Sequence, residues 1–148
     1  MKKTLLSLSA ALAFGAVSLP VLAADLVDVY KSPACGCCIQ WVAHLEKAGF
    51  EVRPHNVMDL PSLRKEMGMP DQLASCHVAK VGNYVIEGHV PASDIQRLLS
   101  EKPDALGLAV PAMPAGSPGM ESLRPVSYET LLVFGDGDTA VFEKHGPR

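Results

Sequence analysis

The order of apolar and polar positions divides the chain into a leader, a row of short periodic segments and a loop-rich stretch. Leu5 to Leu22 carries no charge and follows a basic start, Met1-Lys2-Lys3. Val21-Leu22-Ala23 then supplies a cleavage signal before polarity returns at Ala24-Asp25. Basic start, apolar run and cleavage site are the layout of a secretory signal peptide, so residues 1–23 are expected to be removed. The run approaches the length that spans a bilayer, about 20 residues. Ser7, Ser9, Gly15, Ser18 and Pro20 interrupt it, however, and no basic stop-transfer cluster follows. A mature chain over 24–148, in the periplasm and without stable membrane insertion, is the expectation.

Beyond the leader the period changes from segment to segment. Asp25 to Tyr30 alternates as a strand does. Cys37 to Ala48 has helical spacing, with Ile39, Val42 and Leu45 recurring on one side and Gly49 as a stop. Phe50 to Asn56 predicts a second strand, and Pro54 places it at an edge or near its end. Pro61 to Met67 predicts a short helix closed by Gly68, and Met69 to His77 is irregular. Val78–Val81 and Tyr84–Glu87 flank Gly82-Asn83, a hairpin signal. Pro91 to Glu101 predicts a helix burying Ile95, Leu98 and Leu99. Leu106 to Glu121, rich in Gly, Pro, Ala and Met, reads as one long loop. Tyr128–Phe134 and Thr139–Glu143 flank Gly135-Asp136-Gly137-Asp138, a second hairpin signal, and residues 145–148 are expected to fray. A strand–helix–strand start followed by a hairpin and a helix predicts an α/β thioredoxin-like sandwich, here with a Pro/Gly/Met-rich loop and a C-terminal β-hairpin.

Charge narrows the function. The chain has 148 residues, with 13 Lys and Arg against 16 Asp and Glu. Without residues 1–23 it has 125, and the loss of Lys2 and Lys3 leaves eleven basic against sixteen acidic groups. That length supports one core. An acidic chain with no basic stripe excludes nucleic acid as a partner.

The chemistry concentrates in the four cysteines. Cys35 and Cys38 have the C-x-x-C spacing of redox and metal sites, and Cys37 stands between them beside Gly36. They open the first predicted helix, where unpaired N–H groups and the helix dipole favour thiolate. A dithiol oxidoreductase needs two cysteines; a third at this turn permits a wrong disulfide, whereas in a thiolate cluster it is another ligand. Cys76-His77 lies in the loop before the first hairpin, which in a thioredoxin-like fold approaches the same helix end. Cys76 would complete a four-sulfur site; the alternative is a disulfide from Cys76 to one of the other three. His77 is a further candidate ligand or a group supporting one. Met113 and Met120 in the long loop offer thioethers, soft ligands that suit Cu(I). His44 lies about 10 Å along the helix from Cys37, too far for one ion. His55 and His145 have no evident partners, and His89 is a candidate for the rim of the site.

The motifs together resemble one family. Tyr30-Lys31-Ser32-Pro33-Ala34-Cys35-Gly36-Cys37-Cys38, Ala74-Ser75-Cys76-His77, Tyr84-Val85-Ile86-Glu87-Gly88-His89-Val90-Pro91, Gly107-Leu108-Ala109-Val110-Pro111 and Gly116-Ser117-Pro118-Gly119-Met120-Glu121 closely resemble the CopG-like periplasmic copper-resistance proteins. The resemblance covers nearly all of the mature chain. It implies a thioredoxin-like fold and a multi-copper thiolate cluster on the Cys-x-Cys-Cys motif and Cys76. It also implies a role in interconverting Cu(I) and Cu(II) during periplasmic detoxification, alongside other periplasmic or membrane copper-handling proteins. Val78 stands where a threonine often follows Cys-His, and Ala112 where a glycine often precedes the Met-Pro pair, which bears on the loop's conformation. No proline stands just before the third strand, where thioredoxins place a cis-proline; Cys76-His77 occupies that region. Two other functions fit the same residues: a thiol–disulfide oxidoreductase on Cys35 and Cys38, and a passive copper chaperone.

Overall fold

The computed structural model describes residues 25–147; the expected signal peptide, 1–23, lies outside them. Among the described residues no helix is long and apolar enough to cross a membrane. Seven strands form one sheet: β1 (Leu26–Lys31), β2 (Glu51–Asn56), β3 (His77–Val81), β4 (Tyr84–Gly88), β5 (Gly107–Val110), β6 (Tyr128–Val133) and β7 (Thr139–His145). Three helices join them: α1 (Gly36–Lys47), α2 (Leu60–Glu66) and α3 (Ala92–Glu101). The strand order is β2-β1-β3-β4-β5-β6-β7. β1–β2 and β4–β5 are parallel, and the remaining neighbours antiparallel.

Alternation along the strands builds a core on each face of this sheet. Val27, Val29, Ala79, Ile86, Leu108 and Val110 point to one face and pack with Trp41 and Leu45 of α1 and Ile95 and Leu98 of α3. Val78, Val85, Ala109 and Val133 point to the other, with Met69, Leu73 and the partly buried Leu60 and Leu63 of α2. β2 is the edge strand that Pro54 predicts. Both predicted hairpins form.

Four expectations need correction. Gly107–Val110 is not loop but strand β5, pairing with both β4 and β6. All four residues are buried, so the segment shows an apolar run instead of alternation, and its glycine and neighbouring prolines give it the composition of a loop. On α1 the buried positions are Cys38, Trp41 and Leu45, whereas Ile39 is 52% exposed. Leu45 is buried as expected and Val42 packs partly buried against the core, while Cys38 and Trp41, the largest apolar side chain of the helix, fill the space expected for Ile39. His145 does not fray, being the last residue of β7. The stretch from Met69 contains a short 3-10 turn at Asp71–Leu73.

Candidate metal centre

α1 begins directly after the turn that leaves β1, and Cys35 caps it: its Sγ accepts from the Cys38 backbone N–H at 3.3 Å. This is the helix end whose free N–H groups favour sulfur anions. β3 runs antiparallel to β1, with Lys31 opposite His77. Cys76, the residue before β3, is thereby carried to the N-terminus of α1. The four sulfurs all lie within 4.8 Å of one another. Cys35 and Cys38 are joined in a disulfide, and Cys37 and Cys76 are free. Cys37 Sγ is 3.5 Å from Cys35 Sγ and 3.7 Å from Cys76 Sγ, while Cys38 Sγ is 3.6 Å from Cys76 Sγ. The expected convergence of two separate segments is thus observed. The disulfide pairs the C-x-x-C cysteines; Cys76 takes no part in it.

Two imidazoles close the other side of Cys76. Its Sγ lies 3.4 Å from His77 Nδ1 and 3.0 Å from His89 Nε2. Both rings are fully buried. His77 packs on Trp41, with ring centroids 4.3 Å apart, and edge-on to His89 at 5.0 Å. Trp41 in turn donates to the Val90 carbonyl at 2.8 Å. Burial lowers the pKa of His77 to about 3, with the neighbouring His89 adding to the effect. Burial also lowers His89. Both rings are therefore neutral, the form that ligates metals. Burial pushes the Cys76 thiol up to about 12, and its hydrogen bond to Cys37 Sγ reinforces this. A metal taking Cys76 as thiolate must displace that proton.

The segment Ala74–Cys76 is clamped from below. Arg64 of α2 donates to Glu87 Oε2 at 3.0 Å and to the Ser75 carbonyl at 2.9 Å. Glu87 Oε1 accepts from the Ser75 backbone N–H at 2.6 Å. Both charged side chains are buried, and burial raises the Glu87 pKa against the opposing pull of Arg64. From above, Ser75 Oγ donates to the Ala112 carbonyl, and Ala112 N–H donates to the Ala74 carbonyl at 3.1 Å. Ala112 has a φ of +58°, the left-handed region that favours glycine. That accounts for the glycine common here in the family the motifs resemble.

The loop that follows β5 lies over the site. A Cβ on Gly119 would fall 2.7 Å from the Cys37 carbonyl and 2.9 Å from Trp41 N. Its neighbour Pro118 accepts from His89 Nδ1 at 2.8 Å. Met120 adjoins this contact and is partly buried, whereas Met113 is 48% exposed. The remaining histidines point elsewhere. His44 Nε2 accepts from Ala92 N–H at 3.0 Å and caps α3. His55 pairs with Asp28 at 2.7 Å, and His145 with Asp94 at 2.8 Å.

His89 is the residue the sequence places at the rim and the fold places against Cys76. Its signal was the Gly88-His89 step that ends β4: Gly88 has a φ of +72°, and a Cβ there would fall 2.7 Å from Ser75 Oγ. Arg64 and Trp41 lie outside every motif, and Glu87 lies within Tyr84–Pro91 with nothing there to mark it as the partner of Arg64.

An α/β domain with a thiol cluster at a helix N-terminus, backed by buried imidazoles, defines a cysteine-centred protein of metal or redox chemistry. Two solved structures titled copper resistance protein copG are similar to it. One, form 2, is 38% identical, covers 84% of this chain and 100% of its own, and superposes with a TM-score of 0.80. The other, form 1, is 38% identical, covers 82% and 98%, and has a TM-score of 0.78. Residues 73–120 match a family described as a protein of unknown function, DUF411. No curated protein matches. The chain belongs to the CopG copper-resistance protein family.

Proposed function

We propose that this protein binds copper in the periplasm as part of copper resistance, holding Cu(I) on Cys35, Cys37, Cys38 and Cys76 once the disulfide is reduced. The observation that carries this reading is the convergence of four sulfurs, from two segments far apart in sequence, within 4.8 Å. Thiolates are soft donors and select Cu(I). The two buried neutral imidazoles add donors that accommodate Cu(II). The order β2-β1-β3-β4, with cysteines between β1 and α1, supports a thioredoxin-like core, with β5 to β7 as its extension. The leader supports export and removal of residues 1–23.

The same cysteines supply the reducing half of an interconversion between the two oxidation states. Closing Cys35–Cys38 from two thiols releases two protons and two electrons, enough to reduce two Cu(II) to two Cu(I). Reopening it takes up the same number from an external dithiol. Met113 and Met120 are supplementary thioether ligands in this reading, and the partners are copper ions and other copper-handling proteins of the envelope.

The test is Cu(I) titration of the reduced protein against a chelator, with each cysteine changed to serine. Every change should lower stoichiometry or affinity, and the losses should be strongly non-additive, as for groups acting as one unit. The disulfide favours a second reading, a thiol–disulfide oxidoreductase. Against it stand the free thiols of Cys37 and Cys76, which lie 3.5 Å from Cys35 Sγ and 3.6 Å from Cys38 Sγ respectively, where either is placed to attack and scramble the bond. Copper binding unchanged in Cys37→Ser, together with turnover of a model disulfide, would establish that second reading instead.

A further inference from the structure

We propose that His44 is an acid-sensitive fastener between α1 and α3: the neutral ring caps the first turn of α3, and protonation of the ring releases that turn from α1.

The sequence leaves α3 without a cap of its own. The residue before it is Pro91, which makes no side-chain hydrogen bond to the helix. Serine, threonine, aspartate or asparagine at that position would supply an oxygen for the free N–H groups. The acceptor comes from another helix instead: Ala92 N–H donates to His44 Nε2 at 3.0 Å. Ala92 is buried, so its N–H depends on this partner. His44 sits three residues after Trp41, and positions three apart share a helix face. Trp41 Nε1 donates to the Val90 carbonyl at 2.8 Å. α1 therefore holds the connection from β4 to α3 at two points, one through a donor and one through an acceptor. Farther along, Gln96 Nε2 donates to the Ala48 carbonyl at 3.2 Å.

Of these bonds only the one at His44 depends on a titrating proton. A backbone N–H can only donate, so Nε2 must present its lone pair and the neutral ring carries its proton on Nδ1. A protonated ring is a donor at both nitrogens. It can no longer take the Ala92 bond, and it sets a positive charge against the positive end of the α3 dipole. The charged groups acting on the ring are Glu121, on the loop that follows β5, and Lys47 on α1. In the first turn of α3, Asp94 is committed to Thr130 and His145. Burial holds His44 below the ordinary imidazole range; Glu121 opposes this and Lys47 adds to it. The cap is therefore complete above the ordinary value, about pH 6.5. Below it, the unfolded chain takes up a proton that the folded ring refuses. The cap's contribution to stability then declines until the folded ring itself protonates and the bond is lost. The Val90 carbonyl stays on Trp41, so what opens is the first turn of α3 and not the whole helix.

The experiment is nitrogen-15 magnetic resonance of the metal-free, disulfide-closed protein, titrated from above to well below the ordinary imidazole pKa. It follows the His44 ring nitrogens, the coupling across the Ala92 N–H···Nε2 hydrogen bond and the exchange protection of the Ala92 amide. At neutral pH the ring should carry its proton on Nδ1 and couple to Ala92. On the curve along which Nε2 protonates, the coupling should vanish and the protection of Ala92 should fall roughly tenfold, as for the loss of one hydrogen bond. His44→Gln, whose amide oxygen accepts at every pH, should keep Ala92 protected throughout. If that variant fails to fold, the wild-type titration decides alone. A ring that protonates while Ala92 keeps its protection overturns the proposal. So does a neutral ring with its proton on Nε2, or a ring that stays neutral until the protein unfolds. Loss of Ala92 protection on the same curve in a folded His44→Gln overturns it as well.

Discussion

Two buried polar constellations, each centred on a histidine, occupy opposite parts of the sheet, and they differ in what they leave unsatisfied. The first, at α3 and the C-terminal hairpin, joins Asp94, Thr130 and His145. Asp94 Oδ2 accepts from Thr130 Oγ1 at 2.6 Å and from His145 Nε2 at 2.8 Å, and Tyr128 stacks on the His145 ring. Arg97 beside it bonds Glu143 at 2.8 Å and covers the Phe142 ring at 3.8 Å, although its Nε has only Glu101 at 3.7 Å. The second, at the start of β3, gathers Cys76, His77 and His89. Here the sulfur faces two nitrogens and two further sulfurs, and His77 Nε2 has no partner. The Asp94–Thr130–His145 network pairs its hard donors with one another and fastens a hairpin to a helix, leaving Arg97 Nε beside it without a hydrogen bond. A convergence of soft donors with spare lone pairs has its complement in a ligand instead.

The comparison implies that the two regions respond differently to the loss of a single charge. Glu87→Gln should have the largest effect. It leaves the buried Arg64 without its counter-charge and loosens Ser75, the residue before Cys76. Breaking a buried pair costs about 3–5 kcal/mol, so thermal unfolding should shift down by many degrees, and Cu(I) affinity should fall with it. Asp94→Asn, at the hairpin, should cost about 1–3 kcal/mol, the range for a disrupted buried hydrogen-bond network. Copper affinity there should be unchanged. Loss of copper binding in Asp94→Asn, with the fold intact by circular dichroism, would break the distinction between the regions.

What the sequence made legible follows from range. The strands with alternation, the two hairpins and the helix stops are local patterns, and all are present. β5 was hidden because a strand buried on both faces has no alternation, and its Gly-Leu-Ala-Val run lies in a proline-rich neighbourhood. At the site, the Cys-x-Cys-Cys turn and Cys76-His77 were legible because their residue types are rare and close together. Their meeting in space, expected only as the approach of a loop to the helix end, depends on β3 pairing antiparallel to β1, a long-range contact with no local signal. The clamp was not legible. Arg64 and Glu87 are 23 residues apart; Glu87 sits in the Tyr84–Pro91 motif, but Arg64 looks like an ordinary surface charge until the fold buries it, and nothing in sequence ties the two together. His89 was half legible, since a lone histidine after glycine carries no spacing rule that would tie it to Cys76.

A smaller effect sharpens the role of the covering loop. Ala112 holds a left-handed φ of +58° while its two backbone groups bond Ala74 and Ser75. Ala112→Gly should relieve roughly 1 kcal/mol of backbone strain. A raised melting temperature at unchanged copper stoichiometry is the expected result, and a lowered one would show that the strain is already relieved by packing.

The smallest effect concerns the loop methionines, and here the two positions are set apart by how firmly each is tied to the site. Met120 follows Gly119, whose close approach to the Cys37 carbonyl leaves no room for a side chain. Its backbone is held at both ends, N–H to the Ser117 carbonyl at 2.8 Å and carbonyl from Gly116 N–H at 2.7 Å. Met113 is 48% exposed. A thioether adds modestly to Cu(I) affinity, and only where the backbone already holds it near the ion. Leucine keeps the volume and removes the sulfur. Met120→Leu should therefore weaken Cu(I) binding by a few-fold, on the order of 1 kcal/mol or less, and Met113→Leu by less. Chelator competition on the two variants side by side measures this. A larger loss at Met113 would mean that the loop rearranges around copper.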